Sequence, residues 1–457
     1  MIAERVGVVV LVLVPLIALT QTPSAQAQSE YPWLYSFENP SLHFVFPDAE
    51  GNVIVSTGEW VRDYYYPWGE AYDYVEGGLY RIREGEKDNI EAPENTYVRD
   101  AAVDGQGRAW IMFAEATSYV YYPDVLCPQN RGGSVLGDLG YGFARFPYFV
   151  SAESDGGLGE RRFGTIEEGR LLVHPELGDA IPASAEGMCC DPEGRVFVMS
   201  QQWDSRARTG YFISWWQPGA DQSVDVMDLW GAIPDAWLGG YPRFGPDGLA
   251  YFLVEYHRGD SDSEYACAIL ALNPRTEEYE LFDGTECLLL NCEPVRHSFY
   301  IDPFNTKWFG TEDGLIRFDG EACMRFTTQN SHLPYNRVRQ MAYDEVDDVY
   351  YVISETKVAW DTFAMFSTFS STGQAIGEPF SMPSAGSPWW TDEISRDAQG
   401  GVWLNPYNSD VVFYYDHEGV KRWTVADWLG EDAHVLYVSS TASGRTFCVG
   451  GGRVMVW

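Results

Sequence analysis

The stretch DPFNTKWFGTEDGLIRFDG, residues 302–320, contains one complete β-hairpin with its turns. Asp302 and Asn305 occupy the first and fourth places of a four-residue turn, and Asp313-Gly314 marks a second, tight turn between two short runs rich in apolar and aromatic residues. Turn residues that flank such runs are typical of antiparallel hairpins. We therefore searched the chain for further copies of this frame.

The frame recurs at intervals of 42 to 87 residues, which is the period of four short strands plus their connections. Its fourth place is Gly, Asn or Asp, and its seventh place is usually aromatic, which predicts one aromatic wedge between each pair of neighbouring sheets. The first places of the copies are Asp48, Asp104, Asp191, Gly245, Asp302, Asp344, Asp397 and Thr441. The spacing predicts an all-β fold, a single β-propeller of four-stranded antiparallel sheets with eight blades, or seven as the alternative. Unrelated hairpins in a sandwich are the competing interpretation.

One copy carries a more specific pattern. WFGTEDGLIRFDG, followed by FTTQNSHLPYNRVRQMAYD, resembles the repeat of the two-component regulator propeller family in its order of aromatic-Gly-Thr, Gly-Leu and Asn-Ser-x-Leu-Pro-x-Asn. The other copies keep the turn and the aromatic residue but lack these marks. The resemblance implies an extracellular, ligand-sensing propeller. Because the sequence ends at Trp457, we expect no signalling output after the propeller.

The first 27 residues have the pattern of a secretory signal peptide. Arg5 precedes an apolar run, and Ala25-Gln26-Ala27 forms a small-x-small cleavage site. We expect residues 28–457 to form the propeller domain, secreted or periplasmic, with no membrane span after cleavage; an uncleaved anchor is the alternative. Only two strands follow the last turn, so Trp33 to Phe37 is predicted to supply the missing outer strand of the last blade.

Composition limits the class of partner. The net charge is −37 with a sequence pI near 4.3, and a surface this acidic repels phosphates and anionic lipids, which argues against nucleic acid as a partner. The 8 cysteines are compatible with an oxidising compartment. Cys287 and Cys292 bracket a short loop that suits a local disulfide, whereas Cys189 and Cys190 are predicted to be independent thiols.

The long insertions are predicted between the second and third strands of the first four blades, on the face shared with the inter-blade connections. They cover residues 61–76, 114–140, 203–209 and 256–264, against two residues in the fifth blade. Loops on a rigid scaffold often carry function. The predicted ligand-binding residues on this face are Tyr64, Tyr65, Tyr66, Trp68, Tyr72, Trp203, Arg206, His257, Trp389 and Trp390.

Exposed aromatic rings stack on sugars or peptide side chains, so the predicted partner is an extracellular glycan, peptide or protein. Packing of these rings onto the rim of the propeller is the alternative. No cofactor is predicted, although Asp260, Asp262 and Glu264 resemble the start of a calcium loop and are a candidate metal site. No motif indicates a zinc site or fixes a catalytic residue.

Two other functions stay open at this stage. A lyase or hydrolase of an extracellular polymer or peptide would need a His and an acid at the axis of the ring, and His257, His297 and His434 are available. A structural or interaction propeller would need no small-molecule site. The enzyme question therefore depends on what lines the axis.

Overall fold

The computed structural model describes residues 33–36, 42–66, 69–83, 86–94, 96–115, 118–121, 162–182, 184–204, 207–219, 223–257, 265–283, 294–344, 347–358, 361–382, 393–396, 401–405, 411–416, 419–424, 435–440, 446–450 and 453–456. Regular structure in these residues is almost entirely β-strand, with two short helices. The first strands in chain order are β1 (Trp33–Ser36), β2 (Leu42–Pro47), β3 (Val53–Tyr66), β4 (Gly69–Arg83), β5 (Glu86–Ile90), β6 (Thr96–Val103), β7 (Ala109–Glu115), β8 (Ser118–Tyr121), β9 (Arg162–Glu167), β10 (Arg170–Val173), β11 (Ser184–Cys190), β12 (Val196–Asp204), β13 (Ala207–Trp216) and β14 (Asp225–Asp228).

The chain continues with strands of similar length. They are β15 (Trp237–Leu238), β16 (Arg243–Phe244), β17 (Ala250–His257), β18 (Tyr265–Leu272), β19 (Tyr279–Asp283), β20 (Pro294–Ile301), β21 (Lys307–Thr311), β22 (Gly314–Phe318), β23 (Cys323–Phe326), β24 (Arg337–Asp344), β25 (Val349–Val358), β26 (Asp361–Ser370), β27 (Phe380–Met382), β28 (Glu393–Arg396), β29 (Val402–Asn405), β30 (Val411–Asp416), β31 (Gly419–Thr424), β32 (Val435–Ser440), β33 (Thr446–Gly450) and β34 (Arg453–Val456). The helices are α1 (Pro175–Ala180) and α2 (Leu229–Ala232).

These strands form eight antiparallel sheets, each built around four consecutive strand positions. In order from the axis outward, blade 1 is β2-β3-β4-β5, blade 2 is β6-β7-β9-β10, blade 3 is β11 to β14, blade 4 is β15/β16-β17-β18-β19, blade 5 is β20 to β23, blade 6 is β24 to β27, blade 7 is β28 to β31 and blade 8 is β32-β33-β34-β1. The prediction of a β-propeller of four-stranded antiparallel sheets is confirmed.

The ring closes between blades 1 and 8. Val53 and Val55 of blade 1 pack in one apolar cluster with Phe447 and Val454 of blade 8. The first strand in the chain, β1, pairs antiparallel with β34 and completes blade 8, with Trp33 opposite Val456. This pairing confirms the predicted closing strand. Closure matters because a ring leaves no long unpaired sheet edge to bind other chains.

The turn that recurs in the sequence has the same geometry in successive blades. In blade 5 the Asn305 amide donates to the Asp302 carbonyl at 2.9 Å, and in blade 2 the Gly107 amide donates to the Asp104 carbonyl at 2.8 Å. The fourth place needs the left-handed conformation: φ is 64° at Asn305 and 82° at Gly107. Blade 6 differs, because its positive φ lies one residue later, at Asp348.

The aspartate that opens each turn also fixes the strand that follows. In blade 2 the Asp104 carboxylate accepts hydrogen bonds from the Arg108 amide at 3.0 Å and from the Trp110 indole at 2.9 Å. Burial raises the pKa of Asp104, but these bonds and one from the Gln106 amide outweigh burial, so the pKa is lowered. The aspartate and the aromatic residue six places later therefore form one unit.

The predicted aromatic wedges are present between the blades. Trp308 of blade 5 and Tyr350 of blade 6 are fully buried with ring centroids 4.4 Å apart. The Tyr350 hydroxyl donates to the Asp302 carboxylate at 2.7 Å, so the turn of one blade binds the wedge of the next. The seventh-place residues in inter-blade apolar clusters are Ile54, Trp110, Phe197, Tyr251, Trp308, Tyr350 and Phe447.

Four cysteines of the described residues are free thiols, and Cys189 and Cys190 are among them, which confirms the prediction of independent thiols at these two positions. Cys323 is disulfide-bonded. Cys287 and Cys292 lie outside the described residues, as does the predicted signal peptide. In the part of the chain that the structure describes, no helix is long and apolar enough to cross a membrane.

Candidate binding face and central channel

The predicted ligand-binding residues fall into two groups. Tyr64, Tyr65, Tyr66, Tyr72, Trp203 and His257 lie on described backbone at the hairpin ends of blades 1, 3 and 4. Trp68, Arg206, Trp389 and Trp390 lie outside the described residues, as do the predicted calcium ligands Asp260, Asp262 and Glu264. Within the described residues, no group of three or more His, Cys, Asp or Glu side chains could hold a metal ion.

The insertion in blade 1 is a pair of strands, where the sequence predicted a loop. β3 has 14 residues and β4 has 15, against five in each of β21 and β22 of blade 5. Their pairing continues to Tyr66 opposite Gly69. The physical reason is composition, since Tyr, Trp and Val favour a pleated strand over a loop.

The insertion of blade 2 adds a third strand to this ribbon. β8 pairs antiparallel with β4, with Tyr119 opposite Tyr72 and Tyr121 opposite Glu70. The third strand proper of blade 2, β9, begins only at Arg162, so this insertion is longer than the sequence suggested. Two neighbouring blades thus contribute to one small sheet beyond the rim of the ring.

The register divides the residues of this sheet between two faces. Residues opposite each other share a face, and a bulge between Arg62 and Tyr64 shifts the alternation in β3 by one place. One face, which we call the aromatic face, therefore has the positions of Trp60, Tyr65, Tyr72, Tyr74, Tyr119 and Tyr121. Of the four tyrosines that the sequence singled out in β3 and β4, Tyr65 and Tyr72 belong to this face, whereas Tyr64 and Tyr66 belong to the opposite one.

The axis of the ring is lined by the first strands of the blades, and these strands share an irregularity. β2, β6, β11, β24 and β32 each carry a bulge, and β20 has a wider one between Pro294 and Phe299. The extra residue lies five places before the turn frame of its blade. These positions are His43, Arg99, Glu186, Arg339 and Leu436, and His297 is the corresponding residue of blade 5.

The neighbours of a bulged residue show which way the bulge faces. In blade 2, Val98 packs in the cluster shared with blade 1, while the Asp100 carboxylate accepts from the Met188 amide of blade 3 at 2.8 Å. Residues two apart on a regular strand share a face, so the reversal marks the bulge. One edge of β6 pairs with β7, so the bulged Arg99 lies at the other edge of the strand, which faces the axis of the ring.

Blade 6 repeats the arrangement. Val338 packs toward blade 5, and the Gln340 side-chain oxygen accepts from the Ile394 amide of blade 7 at 3.1 Å. Arg339, between them, has its Nε 3.4 Å from the Glu355 carboxylate, which also binds Arg337 at 2.6 Å. An inter-blade hydrogen bond next to an arginine is thus a feature of two opposite blades of the ring.

Blade 4 replaces the bulge by a break in its first strand. Pro242 has no amide hydrogen and Gly240 has a φ of 143°, so β15 and β16 are separate. Tyr241, between them, crosses over Gly187 of blade 3 and donates to the Asp100 carboxylate of blade 2 at 2.5 Å. A Cβ added at Gly187 would come within 2.6 Å of the Tyr241 ring, so only Gly fits there.

Arg243 follows the same break. Its Nε donates to the Phe299 carbonyl of blade 5 at 2.9 Å. The side chain is exposed to solvent, yet burial by the surrounding protein lowers the pKa of its guanidinium, with Cys189 and Tyr300 close enough to affect it. β16 is an innermost strand of blade 4 and Phe299 is in the innermost strand of blade 5, so the exposed part of Arg243 lies at the axis side of the ring, in the central channel.

The Cys189 thiol beside Arg243 is neutral. Burial, and then the negative charges near it, raise its pKa well above the usual value, so it carries no thiolate at neutral pH. A neutral, buried thiol is a poor nucleophile. Sequence reasoning did not find Asp100, Tyr241 or Arg243. Their sequence positions could have identified them, because Asp100 and Tyr241 lie four residues before the first residue of the turn in their blade and Arg243 lies two residues before it.

Among the comparisons with known proteins, only the search of solved structures found matches. No family model matches the chain, and no curated protein matches it in sequence. Among solved structures, a catalytically inactive virginiamycin B lyase from Staphylococcus aureus with quinupristin is 10% identical, with a TM-score of 0.45, over 80% of this chain and 95% of that one. The extracellular domain assigned to a hybrid two-component system of B. thetaiotaomicron is 13% identical, with a TM-score of 0.32, over 92% of this chain and 56% of that one. The nidogen/laminin complex is 11% identical, with a TM-score of 0.34, over 56% of this chain and 86% of that one.

Proposed function

We propose that the protein is a secreted or periplasmic β-propeller that binds an extracellular glycan through the aromatic face of the sheet formed by β3, β4 and β8. The observation that carries this proposal is the register, which gives six aromatic positions to one face and two to the other. A peptide or a protein is the alternative partner of the same surface.

The extent of the sheet supports a binding role. β5 pairs with β4 only from Leu79 to Arg83, so residues 59–76 project beyond the blade. At about 3.3 Å per residue, the eight projecting residues of each strand reach about 26 Å. A ribbon of this length is more than a blade needs for packing, since blade 5 closes the same connection with Glu312 and Asp313.

The chemistry of the aromatic face suits sugars. Aromatic rings present apolar faces to the C–H groups of a pyranose, and Glu70 and Arg62 lie at positions of the same face for hydroxyl contacts. Peptide side chains would use the same rings, which is why the assay must compare both.

The test is a pair of matched triple variants. Trp60→Ser, Tyr72→Ser and Tyr74→Ser change the aromatic face, and Val61→Ser, Tyr64→Ser and Tyr66→Ser change the opposite face of the same strands. At about 1 kcal/mol per stacked ring, the first variant should weaken glycan binding about a hundredfold while the second leaves it nearly unchanged. Isothermal titration with an oligosaccharide panel measures this, and equal effects of the two variants would contradict the proposal.

An extracellular lyase or hydrolase is the second candidate, and one observation favours it. His43 and Glu186 are the bulged residues in the first strands of blades 1 and 3, and His297 is likewise five residues before the turn of blade 5. His and Glu are the residue types that transfer protons in such reactions. Recovery of a chemically changed ligand, lost in His297→Ala, would support this function over binding alone.

A further inference from the structure

Arg243 has no acidic partner within the part of the chain that the structure describes. Its one hydrogen bond is the Nε contact to the Phe299 carbonyl, although a guanidinium has five N–H donors. Two other arginines of the ring, both less exposed than Arg243, are paired with acids: Arg195 binds Asp191, and Arg337 binds Glu355. Most donors of Arg243 are therefore free to meet a ligand in the channel.

The lack of a partner is unusual for this protein. Asp and Glu number 67 against 30 Lys and Arg, so most cations have a carboxylate within reach. Asp100, which is close enough to Cys189 to raise the pKa of that thiol, already accepts bonds from the Met188 amide, the Ala101 amide and the Tyr241 hydroxyl. These bonds hold Asp100 against the channel wall, where it is only 4% exposed.

The other groups around Arg243 leave its charge uncompensated. Cys189 of blade 3 is a neutral thiol, and Tyr300 of blade 5 packs its ring against Tyr343 at 5.9 Å. Because the first strand of blade 4 breaks at Gly240 and Pro242, the Arg243 side chain can leave the plane of the sheet and enter the channel. Arg99 of blade 2 adds a second, half-buried cation at the bulge position of the same channel.

We propose that the central channel contains a binding site for the carboxylate of an acidic ligand, with Arg243 as the group that takes it. The planar guanidinium fork matches a carboxylate with two parallel hydrogen bonds, and the enclosed position strengthens such bonds over those at an open surface. The proposal goes beyond the proposed function: Arg243 lies two residues before the turn that joins the first and second strands of blade 4, whereas the aromatic face lies at the opposite end of the blades, where the second and third strands connect.

The test uses the full protein and four probes: trigalacturonate, its neutral methyl ester, N-acetylglycine and sulfate. Wild type should bind trigalacturonate more tightly than the ester, and N-acetylglycine should compete with trigalacturonate better than sulfate. Arg243→Gln should weaken trigalacturonate binding at least about tenfold and leave ester binding unchanged, whereas Arg243→Lys, which keeps the charge without the fork, should lie between. Urea unfolding of both variants confirms that the ring is intact.

Arg170→Gln is the matched control, because it removes the same charge from an exposed pair with Glu91. It should bind every probe as wild type does. The channel site is refuted if wild type binds no carboxylate probe, if acid and ester bind equally, or if Arg243→Gln binds trigalacturonate as wild type does. The aromatic-face variant separates the two proposals: because the channel site lies at the other end of the ring, this variant should keep the difference in affinity between trigalacturonate and its ester. If that difference is lost in the aromatic-face variant and kept in Arg243→Gln, the carboxylate is recognised at the aromatic face and the channel site is refuted.

Discussion

The hydroxyl of Tyr350 provides the sharpest test of how the blades are held together. Tyr350→Phe removes one hydrogen bond, the 2.7 Å contact to the Asp302 carboxylate, and leaves the buried ring in place. Hydrogen bonds to a charged acceptor contribute about 1.5–3 kcal/mol when the partner is buried. Asp302 keeps its bonds from the Phe304 and Thr306 amides, so we expect the lower part of this range, about 1.5–2 kcal/mol.

The matched control is Tyr251→Phe in blade 4. The Tyr251 hydroxyl donates to the Asp247 carboxylate at 2.6 Å, but Asp247 is exposed, so water can replace the lost donor. This change should cost less than about 1 kcal/mol. Urea unfolding measures both, with an unchanged m-value as the check that the midpoint shift reports stability.

A double-mutant cycle isolates the contribution of the inter-blade hydrogen bond to the free energy of unfolding. Asp302→Asn combined with Tyr350→Phe should show a coupling of about 1–2 kcal/mol. If the two tyrosine variants lose the same stability and the coupling is zero, the account of blades joined by turn aspartates is wrong.

Three further outcomes follow from the described contacts. Asp104→Asn should be less stable than wild type at neutral pH. Because the folded-state pKa of Asp104 lies below its ordinary value of 3.8, the greater stability of wild type is present above about pH 4 and is lost as the pH falls through the folded-state pKa. Acid unfolding of both proteins measures this difference. In an antiparallel edge strand one of two adjacent amides donates to the partner, so the double change Leu34→Pro and Tyr35→Pro removes a ladder donor from β1 and should lower the free energy of unfolding by about 2–3 kcal/mol, with early hydrogen exchange in β34. Exchange that stays slow in β34 would contradict closure by β1. Gly187→Val should displace Tyr241 from the channel wall and lower the unfolding midpoint, and Gly187→Ala, which adds the Cβ alone, should lower it less; an unchanged midpoint in Gly187→Val would contradict this contact.

The fold could be predicted because its signal is local and repeated. The turn at Asp302 and its copies need a fourth residue that accepts positive φ, and an aspartate whose carboxylate caps the following strand. These demands act within six residues, so the sequence alone shows them. The closing strand was predictable for a related reason, since the last blade lacked one strand and the N-terminal segment had strand composition.

The candidate site was less predictable. Aromatic residues such as Tyr65 and Tyr72 were found, but the sequence cannot reveal the bulge after Arg62 that moves Tyr64 to the opposite face. Arg243 was missed because its role depends on two other blades, through the Phe299 carbonyl and the neutral Cys189 thiol. Contacts between residues that are 50 or more positions apart leave no pattern in a single sequence.

The measurement that tests the central claim most directly is ligand-induced stabilisation of the protein, compared with the variant in which Trp60, Tyr72 and Tyr74 are changed to Ser. A glycan at a hundred times its dissociation constant should stabilise wild type by about 2.7 kcal/mol, be recovered intact, and leave the variant unshifted. If no glycan stabilises wild type, or if wild type and variant shift equally, the aromatic face is not the binding surface.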